Sequence, residues 1–233
     1  MIKRIVAAAC LATMTAAPAL ALDQAAFRTA SKELGAALSF HKVAPAAPLG
    51  ITGFDAGAEV SLIRVDDAAL AEVLDEAGVP SNLYMPRLRA RKGLPFGIDV
   101  GAMYAYAPET DIRVIGAEVS KALLEGGIAT PALSVRGSYT RLTGVDQLHL
   151  QTVGVDASIS KGFVIVTPYA GGGMTYVHSD PKGDLAGAVG EEKIWQPRVF
   201  AGVQLVPFPL FRLTADVEYS QRFIYTLKAG IGF

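Results

Sequence analysis

The 233-residue sequence is poor in cysteine, histidine and net charge. Cys10 is the only cysteine, so the chain cannot form an internal disulfide. It has three histidines and a formal net charge of −1, which is not the basic excess that nucleic-acid binding needs. It contains no zinc-binding, phosphate-binding or nucleophile-elbow motif. We therefore expect no metal, no cofactor, no nucleic-acid partner and no enzymatic activity.

Long apolar runs are also scarce, although 51% of the residues are hydrophobic. The one long apolar stretch follows Lys3 and Arg4 and ends at Ala19-Leu20-Ala21, an A-x-A cleavage pattern. Residues 1–21 are thus predicted to be a cleaved signal peptide. Its removal takes two of the 21 basic residues and leaves 19 against 22 acidic ones. Elsewhere no run reaches the roughly 18 apolar residues of a spanning helix, so a helical membrane protein is not expected.

Apolar residues instead alternate with polar or small ones, most clearly in the last eleven residues, FIYTLKAGIGF. Phe223, Tyr225, Leu227, Ala229, Ile231 and Phe233 share one parity, and the residues between them are mostly small or polar. A period of two indicates a strand with two different faces. The pattern recurs along the chain and predicts about ten strands, with a range of eight to twelve. Their predicted bounds are 50–65, 82–92, 95–107, 110–123, 128–141, 147–160, 163–177, 193–206, 210–221 and 223–233.

Two predicted strands depart from simple alternation. In the stretch from Asp111 to Leu124 the parity changes near Ile115-Gly116, which predicts a β-bulge there. In the stretch from Phe163 to Val177 both parities are apolar at the start, and Gly171-Gly172-Gly173 follows. A glycine run fits a strand where side chains crowd the interior of a barrel.

Two further segments are predicted to be helical. Asp23 can cap a helix with Phe27, Ala30, Leu34 and Leu38 at roughly helical spacing. In residues 22–49, such a helix could plug a lumen or lie on the periplasmic surface. A second helix is predicted at 67–77 in a long loop, with Gly78 and Pro80 ending it.

The pattern resembles that of bacterial outer-membrane β-barrel proteins. The resemblance lies in the signal peptide and in the closing motif of Tyr225, Leu227, Ala229, Ile231 and Phe233, which in that group is an assembly signal. It implies an all-β, antiparallel up-and-down transmembrane barrel over residues 50–233 in the outer membrane of a Gram-negative bacterium. The partners it implies are outer-membrane lipid, the barrel-assembly machinery and periplasmic chaperones. Short connections are expected on the periplasmic side and longer ones outside.

Charged residues concentrate on the parity that would face the lumen of such a barrel. These positions are Arg87, Arg89, Arg91, Arg136, Arg198, Arg212, Glu59, Asp99, Asp156, Asp216 and Glu218. One interpretation is a porin-like lining that favours anions or binds an acidic ligand. The other is a filled interior in which arginine–carboxylate pairs bridge the strands. The expected role is therefore structural, or a narrow passive passage for small solutes.

Two alternative functions remain open at this point. A lipid-modifying or proteolytic enzyme on the same barrel would need a histidine with an acid or serine near the outer rim. The chain offers His41, His149 and His178, and His178-Ser179-Asp180 is predicted to start a long outer loop. A soluble periplasmic β-sandwich or barrel that acts as a binding module would show the same strand alternation.

Overall fold

The computed structural model describes residues 24–64, 82–106 and 113–233. The predicted signal peptide at 1–21, the predicted helix cap Asp23 and the predicted loop helix at 67–77 lie outside these ranges.

Ten antiparallel strands form one closed barrel, which confirms the predicted up-and-down architecture. Each strand pairs with its neighbours in sequence, and β1 pairs with β10 to close the sheet. The strands are β1 Phe54–Arg64, β2 Asn82–Leu94, β3 Ile98–Tyr106, β4 Arg113–Glu125, β5 Ala132–Thr143, β6 Leu148–Ser160, β7 Val166–Pro181, β8 Glu192–Phe208, β9 Phe211–Tyr219 and β10 Phe223–Gly232.

The barrel closes where the first and last strands meet. Phe54 and Phe233 exchange two backbone hydrogen bonds of 3.1 and 3.0 Å, and their rings pack edge to face. We call this end of the barrel the terminal rim and the other end the opposite rim. All described connections at the terminal rim are short, whereas the 182–191 connection at the opposite rim is longer.

Side chains alternate between a lumen and an apolar outer wall along the strands, because successive residues of a strand point to opposite faces. On β8, for example, Trp195 and Val199 are exposed outward while Gln196 and Arg198 are buried inside. The aromatic residues Tyr84, Tyr104, Tyr139, Trp195, Tyr219, Phe223 and Tyr225 are exposed on the outer wall. The barrel therefore presents its apolar side chains outward.

The structure corrects three local predictions. No bulge occurs at Ile115-Gly116, because β4 keeps its register there and shifts instead between Ala122 and Leu124. The parity only seemed to change because Val114 is an apolar residue that points into the lumen. Strand β7 begins at Val166 rather than Phe163, and it extends to Pro181, so His178 lies on a strand and not in a loop.

The N-terminal segment lies inside the barrel. Helix α1, Gln24–Leu38, occupies the lumen at the opposite rim, where Arg28 pairs with Glu192 at 2.9 Å. From there the chain runs to the terminal rim, where Leu49 N–H donates to Asp99 at 3.0 Å. Residues 24–53, called here the luminal segment, thus pass through the lumen from one rim to the other. No helix in the described part of the chain is both long and apolar enough to cross a membrane.

An apolar core fills the lumen beneath the opposite rim. Phe27, Leu38 and Phe40 of the luminal segment are almost fully buried in this core. Its wall is formed by inward residues of several strands: Met85, Met103, Ala105, Val114, Leu142, Leu148, Leu150, Val177 and Ile194. Helix α1 is therefore held by hydrophobic burial as well as by ion pairs at the rim.

Replacing Phe27 with alanine should loosen α1 in the lumen. The side chain is fully buried, and such a truncation costs about 3 kcal/mol. We expect faster trypsin cleavage after Arg28 and Lys32, measured by mass spectrometry of the folded protein in detergent. Phe223→Ala is the matched control, because Phe223 lies on the outer wall and is 52% exposed. Equal cleavage of the two variants would contradict the docking of α1.

Candidate functional site

The charged residues predicted to face the lumen all lie on the inner wall. They are buried, except for Arg212, whose side chain is 17% exposed. Five arginines, Arg87, Arg89, Arg91, Arg136 and Arg198, lie on β2, β5 and β8, and we call them the arginine belt. Whether these residues line a pore or bind a ligand stays a prediction.

Carboxylates link three arginines of the belt into a continuous ion network, whereas Arg87 and Arg89 pair separately with Glu59. Arg136 lies between two acids, with Nη1 2.7 Å from Glu118 and Nη2 2.6 Å from Asp156. On one side the network continues from Asp156 to Arg198 at 2.6 Å. On the other side it continues from Glu118 to Arg91 at 3.2 Å and then to Asp99 at 2.9 Å. The network therefore joins six strands, from β2 to β6 and β8.

Glycines make room for two of these contacts. Gly173 on β7 pairs with Asp156 on one side and Arg198 on the other, and the two charged side chains meet above it. A Cβ at Gly173 would lie 2.7 Å from an Asp156 carboxylate oxygen. Gly101 on β3 lies in the same way between Arg91 and Glu118. An arginine and an acid two strands apart can therefore pair only because the intervening strand carries no side chain.

Backbone carbonyls of the luminal segment satisfy further N–H groups of the belt. The Phe40 carbonyl accepts from Arg136 at 2.7 Å and from Arg198 at 3.3 Å. The His41 carbonyl accepts from Arg89 at 2.7 Å. The Phe40 ring lies 4.6 Å from the guanidinium carbon of Arg89 and 5.6 Å from that of Arg136, within cation–π range. Three strands thus hold the segment at Phe40 and His41.

The His41 side chain adds a contact with Arg87. Its Nδ1 lies 2.9 Å from Arg87 Nη1, and its Nε2 lies 2.9 Å from the Ala36 carbonyl. Since arginine can only donate, Nδ1 accepts, and Nε2–H donates to Ala36. His41 is therefore a neutral imidazole that joins the end of α1 to the wall.

Acidic residues on β9 are less completely paired. Asp216 accepts a hydrogen bond of 2.8 Å from the Tyr169 hydroxyl. Glu218 is buried beside His41, with 3.9 Å between its Oε1 and the imidazole Nε2. Neither oxygen of Glu218 accepts a hydrogen bond from the described residues. The ion network is therefore denser on the β2–β8 side of the lumen than beside β9.

Several buried charges in the lumen were not among the predicted ones. Glu118 was absent from the predicted charges because the parity of β4 was misread at Ile115-Gly116. Asp55 and Lys228, which form a buried ion pair, were also missed, although they lie on the inward parity. The Phe40 and His41 carbonyls leave no signal in a sequence pattern, since every residue has a carbonyl group.

The two rim histidines do not form a catalytic arrangement with a serine. His149 and His178 lie on the outer wall near the opposite rim, whereas Ser179 is fully buried and points inward. His178 Nε2 lies 3.2 Å from Glu191, an exposed residue that also pairs with Lys193. Hydrogen bonds from Lys193 and His178 hold the pKa of Glu191 below its usual range. In the described ranges, no group of three His, Cys, Asp or Glu residues is placed to hold a metal ion.

The residues of the predicted assembly motif lie on the outer wall of β10. Leu227 is 64% exposed there, between Tyr225 and Ala229 along the strand, and Ile231 and Phe233 continue the row to the terminal rim. Their role as an assembly signal stays a prediction.

Comparison with solved structures finds similarity to outer-membrane barrels. It is similar to the N-terminal β-barrel domain of Pseudomonas aeruginosa OprF, with 14% identity, a TM-score of 0.38, and coverage of 76% of this chain and 97% of that one. It is also similar to the attachment invasion locus protein Ail of Yersinia pestis, with 16% identity, a TM-score of 0.31, and coverage of 78% and 97%. Neisserial surface protein A gives 13% identity, a TM-score of 0.35, and coverage of 77% and 95%.

No protein-family model matches the sequence, and no curated relative does either. The closed antiparallel barrel with an apolar outer wall is itself the architecture of an outer-membrane β-barrel protein.

Replacing Gly173 with alanine should break the ion network locally. The new Cβ would crowd Asp156 and the neighbouring backbone, and overpacking of this kind costs about 1–3 kcal/mol. We expect a lower midpoint of urea unfolding in detergent micelles.

Gly137→Ala is the matched control for this substitution. It makes the same change in a strand, but its Cβ would have no neighbour closer than 3.9 Å. If both variants unfold at the same midpoint, the close packing at Gly173 is not important for stability.

Proposed function

We propose that the protein is an integral outer-membrane barrel with a structural role, whose own N-terminal segment closes its lumen. The observation that carries the proposal is the luminal segment. Residues Ser39 to Ala44 are each at most 2% exposed, and they lie at the level of the arginine belt. A water path for solutes would have to displace this segment.

The ion network supports a filled interior rather than an open passage. Arginines that lined a pore would keep their N–H groups in water, whereas here they donate to acids and to carbonyls of the luminal segment. Removing one partner of a buried charge pair is strongly destabilising, so these contacts resist opening. Of the two interpretations of the lumen charges, the filled interior is the better supported.

The outer wall supports placement in a membrane. Its exposed apolar side chains surround the barrel, which fits lipid contact and not a soluble binding module. We place the terminal rim on the periplasmic side, because its described connections are the short ones. The proposed partners are outer-membrane lipid and, during biogenesis, periplasmic chaperones and the barrel-assembly machinery.

We propose no enzymatic activity for the barrel. Ser179 points away from His178, and Glu191 beside His178 already pairs with a lysine. Asp180 lies opposite His149 in the pairing of β6 with β7, and it also pairs with a lysine. Unchanged lipid A and phospholipid turnover after substitution of His149 and His178 supports this. A loss of turnover in those variants favours the enzyme alternative.

Planar-bilayer recording tests whether the lumen is closed. We expect the folded wild-type protein to give no lasting conductance, because the luminal segment fills the lumen. A variant that lacks residues 24–49 should conduct, provided that a heat-modifiable gel band shows it to be folded. Phe40→Gly is the milder variant, and it should give brief openings by weakening the hold on the segment.

Outcomes of the recording separate the two roles. Steady conductance of the wild-type protein overturns the structural proposal in favour of a passive passage. A folded deletion variant that stays silent shows that the strand side chains alone close the lumen, which contradicts the role given to the luminal segment.

A further inference from the structure

The connections at the terminal rim carry large apolar residues at their tips. Phe96 lies between β2 and β3, Ile128 between β4 and β5, Val164 between β6 and β7, and Leu210 between β8 and β9. Their exposed fractions are 84%, 103%, 107% and 54%. We call these four residues the rim tips. Apolar side chains that stand so far into the surroundings are unfavourable if those surroundings are water.

Three of the rim tips also have strained backbones. The φ angles of Phe96, Val164 and Leu210 are 64°, 37° and 71°, in the left-handed region that glycine and asparagine tolerate best. A glycine or asparagine at these positions would relieve the strain and would also be better hydrated. Bulky apolar residues are therefore doubly unfavourable in an aqueous turn, and an apolar environment at the tips removes one of the two costs.

Lysines next to these connections bond to their backbone carbonyls. Lys161 Nζ donates to the carbonyls of Gly127 and Ile128 at 2.9 and 2.7 Å. Lys121 donates to the Phe96 carbonyl. At the same rim, Lys92 donates to the carbonyl of Ile51 in the luminal segment at 2.6 Å. In water these carbonyls would be hydrated without help, whereas in an environment poor in water they need such donors.

From these features we infer that the rim tips lie within the interfacial layer of the lipid leaflet at the terminal rim, and not in the aqueous phase. The inference rests on the proposed placement of the barrel in a membrane. The rim tips are continuous with the apolar outer wall through Leu123, Phe163 and Phe208, which are all exposed. The lysine ammonium groups then lie among the lipid phosphates, where a positive charge is favoured.

The arrangement of the tips favours lipid over a protein partner. The four connections follow one another around the barrel, after β2, β4, β6 and β8, and leave a gap at the seam between β10 and β1. A planar lipid boundary meets all of them at once, whereas a docked protein would cover one side. The described connections at the opposite rim differ, since their exposed positions include Asp146, Gln221 and Glu191 and no large apolar tip.

Spin-label accessibility tests this inference. Single cysteines are placed at 96, 128, 164 and 210 in a Cys10→Ser background, labelled with a nitroxide and reconstituted in phosphatidylethanolamine–phosphatidylglycerol vesicles. The label at Leu227 on the outer wall is the lipid control, and the label at Asp146 is the aqueous control. We expect the rim tips to lie nearer to Leu227 than to Asp146, with raised access to oxygen and reduced access to a water-soluble nickel chelate.

Each other outcome overturns a stated part of the proposal. Tips that match Asp146 while Leu227 reports lipid refute the inference and leave the membrane placement intact. A Leu227 label that reports water refutes the membrane placement itself. Tips that are shielded from nickel only after addition of periplasmic extract indicate a protein partner and refute the lipid assignment.

A second variant tests whether apolar character holds the rim in place. Phe96→Asn, Val164→Asn and Leu210→Asn are combined, and the label is placed at 128. We expect the label at 128 to become more accessible to the nickel chelate. The matched control is Phe96→Leu, Val164→Leu and Leu210→Met, which should leave the label in lipid. If the asparagine variant leaves the label unmoved, apolar tips do not set the depth of the rim.

Discussion

A guanidinium group buried inside the barrel needs acid and carbonyl partners, because desolvation of an unpaired charge costs several kcal/mol. This constraint explains which groups surround the arginines inside the barrel. The acids of neighbouring strands supply part of the acceptors, and the carbonyls of Phe40 and His41 supply others. The arginine belt and the luminal segment therefore depend on each other. The segment is held by the belt, and the belt keeps these carbonyl acceptors only with the segment in place.

The constraint explains where small residues occur on the inner wall. An arginine and an acid on adjacent strands pair without help, as Arg136 and Asp156 do. Pairs two strands apart need an intervening residue without a side chain, and Gly101 and Gly173 fill that place. The glycine run at 171–173 was predictable as part of a crowded interior, but its partners were not, because they depend on the register across three strands.

The fold was predictable from the sequence because a lipid-facing wall imposes a strict period of two. That period locates the ten strands, and it assigns almost every charged residue correctly to the lumen or to the outer wall. It failed at β4, where Val114 is apolar but points inward into the core around α1. The alternation in β4 looks broken only if the whole lumen is assumed to be polar. Under the same assumption, Glu118 was not recognised as a residue that faces the lumen. Strand ends were less predictable, because β7 and β8 have 16 and 17 residues, whereas the other strands have 9 to 13.

The path of residues 24–53 was not predictable, since a plug and a surface helix have the same amphipathic pattern. In the structure the segment meets two environments in turn, an apolar core under the opposite rim and the arginine belt below it. Its sequence matches that order, with Phe27 and Leu38 in the core and backbone carbonyls at the belt. The barrel wall changes character at the same levels, from Leu148 and Leu150 to Asp156 along β6. Such layering fixes the depth of the segment, because a shift along the axis would bring apolar side chains against unpaired guanidinium groups.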